Sequence, residues 1–234
     1  MTGAFYGVGV GPGDPELLTV KAIRVIQQAD VIIAPKTEKK EDSVALTIAK
    51  PYLKEATPIV KLVFPMVFDR ETLTSAWQEN KNVILQLLAA GKKVVFLTLG
   101  DPMFYSTYIY IFHLLQDCSY PMETIPGVPA FCAMASRLGY PLADGDDIVS
   151  VIPATVAAEQ LDQALALSDN VVLMKVYKNY RQVVTQLKRH GLADNAVMVS
   201  RCGLADELVL RNLSDSGDQK INYLSTILAR RTKA

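Results

Sequence analysis

The sequence is poor in the residues that build metal centres and disulfide frameworks, with 3 cysteines and 2 histidines in 234 residues. Cys118, Cys132 and Cys202 are odd in number and show no C-x-x-C spacing, which argues against a disulfide framework and a structural zinc site. His113 and His190 are too few for a histidine-rich metal centre, so no metal ligands are expected and a reducing, cytoplasmic setting is the simplest. There is no charge excess either. The 24 Lys and Arg balance 24 Asp and Glu, so no global field holds the chain on nucleic acid or an anionic membrane. The longest uncharged stretch, residues 102–116, contains tyrosines and a histidine and falls short of the roughly 18 apolar residues of a membrane span. No basic segment precedes an apolar one at the start, so no signal peptide is expected. Two nucleotide-binding fingerprints are also missing. G-x-G-x-x-G fails because Pro12 stands sixth from Gly7 and Asp14 sixth from Gly9, and no G-x-x-x-x-G-K-[ST] occurs.

Half of the residues are apolar. A chain of this length should bury roughly 70% of its unfolded surface, in one or two domains. Short apolar runs alternate with longer helical stretches, the pattern of an α/β fold. Strands are expected at residues 5–10, 31–34, 59–64 and 94–98, and helices at 19–28, 43–53 (interrupted at Pro51), 69–91 and 104–115. Residues 36–42 read as a charged surface loop. Asp69 is a candidate cap for the clearest helix, and Gly91 its stop. Residues 117–121 carry turn residues without periodicity and are the expected boundary between two lobes, 1–118 and 119–234. Beyond it, strands are expected at 123–125, 148–152, 170–175, 196–201, 207–213 and 221–229, with helices at 129–138, 157–167 and 179–190, the last capped by Asn179. The second lobe is therefore expected to be richer in antiparallel strand.

Four motifs stand at expected strand ends. Gly7-Val8-Gly9-Val10-Gly11-Pro12-Gly13-Asp14-Pro15 follows the first strand, where glycines let a ligand approach the backbone. The same residues also suit a tight turn with Asp14 as cap and Pro15 at the first helical position. Gly-Asp-Pro recurs at 100–102, again at the carboxyl end of a strand, where open α/β sheets bind ligands. Ile125-Pro126-Gly127-Val128-Pro129-Ala130 is a strand-to-helix turn whose backbone N–H groups can meet polar ligand atoms or simply redirect the chain. Val171-Val172-Leu173-Met174-Lys175 ends a buried strand in a lysine, with Met174 more simply read as core.

Together these residues resemble the tetrapyrrole methylases, which transfer methyl groups from S-adenosylmethionine. The resemblance covers essentially the whole chain. It rests on Gly11-Pro12-Gly13-Asp14-Pro15, on Thr98-Leu99-Gly100-Asp101-Pro102 followed by Tyr105-Ser106-Thr107, and on Ile125-Pro126-Gly127-Val128. It continues through Arg137-Leu138-Gly139-Tyr140-Pro141-Leu142, Val172-Leu173-Met174-Lys175 and Tyr223-Leu224-Ser225-Thr226. Within the family, the Thr-Leu-Gly-Asp-Pro, Tyr-Ser-Thr and Leu-Met-Lys pieces point to the branch that methylates carbon 20 of precorrin-2 or cobalt-factor II on the route to cobalamin. Pro129-Ala130 departs from the small hydroxyl residues common there.

The resemblance implies two α/β lobes with the active-site cleft between them, usually in a homodimer. It implies cofactor contacts at Pro12, Leu99, Gly100, Asp101, Phe104, Pro129, Ala130, Met174, Cys202, Gly203, Ser225 and Thr226, mostly through backbone groups. Asp101 and Tyr223 are the candidate general bases, with a loop- or cofactor-orienting role as the rival reading of Asp101. The implied small-molecule substrate is a tetrapyrrole with eight carboxylates, for which Lys36, Lys39, Lys40, Arg137, Lys178 and Arg201 are candidate clamps beside the plainer reading of each as a solvated surface charge. The competing readings are another member of the family, including one acting on RNA, and a non-catalytic tetrapyrrole carrier. The absence of a Lys/Arg-rich stripe weighs against RNA, and a carrier has no need of cofactor loops.

Overall fold

A computed structural model describes residues 2–37, 43–65, 69–216 and 220–231. The chain divides into two compact units, Met1–Pro129 and Ala130–Ala234.

The first unit holds strands β1 (Ala4–Gly9), β2 (Val31–Lys36), β3 (Ile59–Val63), β4 (Lys93–Thr98) and β5 (Met122–Ile125). They form one sheet in the order β3-β2-β4-β1-β5, and every pairing is parallel. Parallel neighbours need crossover helices, supplied by α1 (Val20–Gln27), α2 (Val44–Ala49), α3 (Arg70–Ala89) and α4 (Tyr108–Leu115). Ile84 and Leu88 of α3 and Ile111 and Leu115 of α4 pack with Phe5, Ile33 and Phe96 on one face. The leftward crossovers carry α1 and α2 to the other face, as right-handed connections require. Strands covered on both sides read as continuous apolar runs, which is why residues 31–34 and 94–97 lack alternation.

Local chemistry sets the helix ends. Thr19 accepts from the Ala22 N–H at 3.1 Å and Asp69 from the Thr72 N–H at 2.8 Å, both as N-caps. Hydrogen bonds from the Thr72 hydroxyl and N–H hold the Asp69 carboxyl below its ordinary pKa. The helix expected from residue 104 starts only at Tyr108. Residues 102–107 are instead folded into a turn in which Ser106 Oγ bonds the Pro102 carbonyl and Tyr105 has φ 49°. Tyr108 is fully buried, and its hydroxyl lies 2.7 Å from Thr124 Oγ1. A Cβ on Gly7 would stand 2.2 Å from the Tyr108 ring, so β1 needs a glycine there.

The boundary falls later than the expected 118/119. β5 pairs with β1 from Phe5↔Met122 to Val8↔Ile125, so residues 122–125 belong to the first sheet. The turn at 117–121 merely returns the chain from α4 to that edge.

The second unit contains α5 (Ala130–Leu138), β6 (Val149–Pro153), α6 (Ala158–Leu167), β7 (Asn170–Met174), α7 (Tyr180–Arg189), β8 (Ala196–Ser200), β9 (Leu208–Leu210) and β10 (Ser225–Arg230). The sheet order is β6-β7-β10-β8-β9. β6 and β7 are parallel, whereas β10 is antiparallel to both β7 and β8, and β9 to β8. Side chains alternate across it. Val171, Leu173, Met198 and Ile227 pack with Leu161, Leu165, Val183 and Leu187 of α6 and α7. Val172, Val197, Val199 and Leu228 pack with Met134 of α5 on the opposite face. Asn179 does not cap α7. Its amide is drawn to the Ala154 carbonyl at 2.8 Å. The strand expected at 207–213 shrinks to three residues because Asn212 Oδ1 accepts from Ser214 N–H at 3.0 Å and turns the chain.

Candidate functional site

In the first unit, the carboxyl ends of β4, β1 and β5 are neighbours, and their loops are tied together. Val10 N–H donates to the Thr98 carbonyl at 2.9 Å, and Gly11 and Gly100 exchange backbone bonds of 3.3 and 2.8 Å. Glycine is obligatory at two further points. A Cβ on Gly9 would lie 2.5 Å from Gly127 N and 2.6 Å from Gly100 O; one on Gly127 would lie 2.2 Å from Gly100 O. The third loop is then pinned by Asp101, whose Oδ1 accepts from Met103 N–H at 2.8 Å and Oδ2 from Gly127 N–H at 3.0 Å.

The two Gly-Asp-Pro segments therefore differ. Asp14 accepts from Glu16 N–H at 2.9 Å and caps its own short turn, with Pro15 leading it. Asp101 reaches across to another loop. Pro12, Leu99, Gly100, Asp101, Phe104 and Pro129 are gathered on these linked loops, with Pro12 buried beside the Gly11 tie and Phe104 half-buried against the Tyr105 ring at 4.8 Å. Gly100 has φ 70° and an open Cα side: a Cβ added there would have Pro129 Cα and Val128 O as its nearest atoms, both at 4.0 Å. The Thr98 hydroxyl at the end of β4 is buried without a hydrogen-bond partner.

In the second unit, β7 and β8 run parallel on either side of β10, so their carboxyl ends and the start of β10 share one edge. Met174 faces Thr226 and Ser200 faces Ser225 across the ladder, and the two serine hydroxyls are 2.5 Å apart. Ser225 and Thr226 are 1% and 7% exposed, so both are buried at the start of β10. Met174 packs beside Val172 in the α5-side core. Ala130 is the first residue of α5.

After β8 the chain makes a turn. Cys202 is buried there with Met134 and Val199, and burial, with the nearby Glu207 carboxylate, pushes its thiol pKa up to about 11. Gly203 N–H donates to Glu207 Oε2 at 2.7 Å, and Arg137 Nε meets Glu207 Oε1 at 3.2 Å. Glu207 is not foreshadowed by the sequence, since no local motif marks it. Arg137 and Arg201 are not bare clamps, since Arg201 Nε bonds Asp206 Oδ1 at 2.5 Å. Tyr223 is 40% exposed, and its ring meets Tyr177 at 5.2 Å, where Lys178 Nζ lies 5.6 Å from the Tyr177 centroid. Lys36 ends β2, its carbonyl taken by Phe64 N–H. Lys39 and Lys40 lie outside the described residues. Among the described residues no helix is long and apolar enough to cross a membrane.

The chain is similar to known proteins over nearly all its length. It is 37% identical to the cobalt-precorrin-2 C(20)-methyltransferase of Salmonella typhimurium, covering 99% of this chain and 98% of that one. It is 33% identical to the precorrin-2 C(20)-methyltransferase of a Sinorhizobium species, covering 97% and 94%. Among solved structures, a cobalt-precorrin-4 methyltransferase superposes with TM-score 0.72 at 23% identity over 97% of this chain and 94% of that one. A Thermus thermophilus uroporphyrin-III C-methyltransferase complexed with S-adenosylhomocysteine gives 0.70 at 21%, covering 97% and 92%. These two show a shared α/β fold. The family model for Tetrapyrrole (Corrin/Porphyrin) Methylases matches residues 4–216, and the chain belongs to that family.

Proposed function

We propose that this chain transfers a methyl group from S-adenosylmethionine to carbon 20, the meso carbon between rings A and D, of precorrin-2 or cobalt-factor II in cobalamin biosynthesis. One observation carries the reading. Relatives named for this C(20) reaction align with 99% and 97% of the chain at 37% and 33% identity.

The residues present fit the cofactor. Gly100 offers an open backbone face between Val128 and Pro129, where a side chain would fill the space a ligand needs. We assign the cofactor contacts to Pro12, Leu99, Gly100, Asp101, Phe104, Pro129, Ala130, Met174, Cys202, Gly203, Ser225 and Thr226. When bound, S-adenosylmethionine supplies an electrophilic sulfonium methyl. Transfer of that methyl to the electron-rich ring carbon would leave S-adenosylhomocysteine and would require a proton to pass from the methylated carbon to an acceptor on the protein or in water.

The protein needs no nucleophile of its own. Cys202, with its thiol raised to about 11, remains protonated at neutral pH and does not compete for the methyl group. The chain's work is to align carbon, methyl and sulfur and to exclude water. Asp101 serves as an orienting residue, since both its oxygens are occupied by backbone N–H groups. Tyr223, 40% exposed beside the Tyr177 ring, is the remaining candidate proton acceptor. The family resemblance supports a homodimer, and three free cysteines support a reducing, cytoplasmic setting.

Purified protein incubated with labelled S-adenosylmethionine and either precorrin-2 or cobalt-factor II is expected to yield a product heavier by one methyl, labelled at the meso carbon. Absence of turnover on both rings, with cofactor binding intact, overturns the reading.

A further inference from the structure

Among the described residues, seven glycines have positive φ, and only three other residues do: Tyr105 (49°), Lys175 (58°) and Arg201 (55°). Two of these three are basic, and their positions correspond. Lys175 follows the last residue of β7 and Arg201 the last residue of β8. The start of β10 lies between them, with Thr226 opposite Met174 and Ser225 opposite Ser200. Thus two long cationic side chains leave one edge of the second sheet from matching left-handed corners.

Glycine takes this conformation without penalty, whereas a residue with a Cβ is strained in it. The corners at Gly139, Gly145 and Gly191, with φ between 58° and 65° and nothing within 4 Å of an added Cβ, are left-handed positions filled by glycine. Lys175 and Arg201 standing at strained corners point to a need for their side chains. Lys175 is half-buried, and burial lowers the pKa of its ammonium. The Arg201 guanidinium is held at Nε by Asp206 Oδ1. This fixes the plane of the fork, while four N–H donors remain on the two terminal nitrogens.

We infer that Lys175 and Arg201 form a two-point carboxylate anchor at the carboxyl edge of the second sheet. The inference rests on the methyltransferase reading, which supplies two carboxylate-bearing ligands: the polycarboxylate ring and the methionyl arm of the cofactor. Strained backbone at the two corners keeps both cations on the same edge.

The test replaces each corner by glycine, in Lys175→Gly and Arg201→Gly, and compares them with Lys175→Arg, which keeps both charge and strain. The glycine variants are expected to melt at or above the wild-type temperature. Their dissociation constant for an octacarboxylate porphyrin, read by fluorescence quenching, is expected to rise about tenfold, the scale of one charge-assisted bond. Lys175→Arg is expected to stay within about threefold of wild type, since it keeps the charge but not the point geometry. A rise for S-adenosylhomocysteine instead of the porphyrin places the cofactor's carboxylate on the anchor. Glycine variants that keep both constants, or that lose affinity together with a lowered melting temperature, overturn the anchor. Wild-type protein that binds porphyrin and S-adenosylhomocysteine but methylates neither precorrin-2 nor cobalt-factor II fails the methyltransferase reading, while the binding comparison still decides the anchor.

Discussion

Replacing Gly127 by alanine tests the linkage of the three loops in the first unit. The new methyl would stand 2.2 Å from Gly100 O and 2.8 Å from both C and Cα of Gly9. All of these atoms are backbone in segments fixed by β4 and β1, so no rotamer change relieves the overlap. Overpacking of this kind costs about 1–3 kcal/mol, and unyielding backbone places it at the upper end. Displacing Gly127 also detaches its N–H from Asp101 Oδ2, and a bond to a charged acceptor contributes about 1.5–3 kcal/mol. The expected loss is therefore about 4–6 kcal/mol, a large share of the roughly 5–15 kcal/mol typical of a folded domain. At roughly 2–4 °C per kcal/mol the melting temperature should fall by more than about 8 °C. Differential scanning calorimetry is the assay, because the two units can melt separately and the loss should fall in the transition of the first unit alone. Gly139→Ala is the control: with φ 59° and nothing within 4 Å of its Cβ, it carries backbone strain of only about 1–2 kcal/mol. If Gly127→Ala costs no more than Gly139→Ala, the three-loop linkage is wrong.

Other perturbations separate the roles assigned above. Asp101→Asn turns one acceptor into a donor facing a backbone N–H, so it should lower stability by about 1–3 kcal/mol in urea titrations and weaken cofactor binding together; full stability with abolished turnover would instead make Asp101 a catalytic base. Thr98→Val removes a buried hydroxyl without a partner, and should be neutral or stabilising by up to about 1 kcal/mol in the same titrations, whereas a clear loss would reveal a bonded hydroxyl. The raised Cys202 pKa contributes stability that is fully present below an ordinary thiol pKa of about 8.5 and is lost as pH rises toward about 11. Denaturation midpoints should therefore decline across that window in wild type and decline less in Cys202→Ala. Glu207→Ala releases both Gly203 N–H and Arg137, and titration calorimetry should show weaker S-adenosylmethionine binding at little cost in secondary structure; unchanged affinity would remove the 201–207 turn from the cofactor site.

The glycine–proline turns and apolar runs made the first sheet legible, because strands buried on both faces announce themselves as uninterrupted Val, Ile and Leu. Asp69 and Gly91 bounded α3 for the same local reason. Misplacements arose where a distant partner decided. Residues 122–125 looked like the start of a new lobe until β1 supplied their hydrogen-bonding edge. Asn179 resembled a cap but bonds Ala154, 25 residues away. The candidate site follows the same rule. The Gly-Asp-Pro at 100–102 was visible, yet nothing local shows that Asp101 bonds Gly127 whereas Asp14 bonds its own turn. Glu207 and the left-handed corners at Lys175 and Arg201 depend on neighbours in three dimensions, and no spacing in one dimension encodes them.

The position of β10 bears on how the protein is made. In the first sheet the joining strand is β4, which inserts between β2 and β1 and is followed only by β5 at the edge, so that sheet is complete by Ile125. In the second sheet β10 lies at the centre, between β7 and β8, yet follows both in sequence. Until it emerges, β7 and β8 lack the neighbour that joins them, and their apolar faces stay open to the wrong partners. A ribosome releasing this chain therefore presents a first unit that can close early and a second that waits for its last strand, which makes the interval before residue 225 the period of greatest dependence on chaperones.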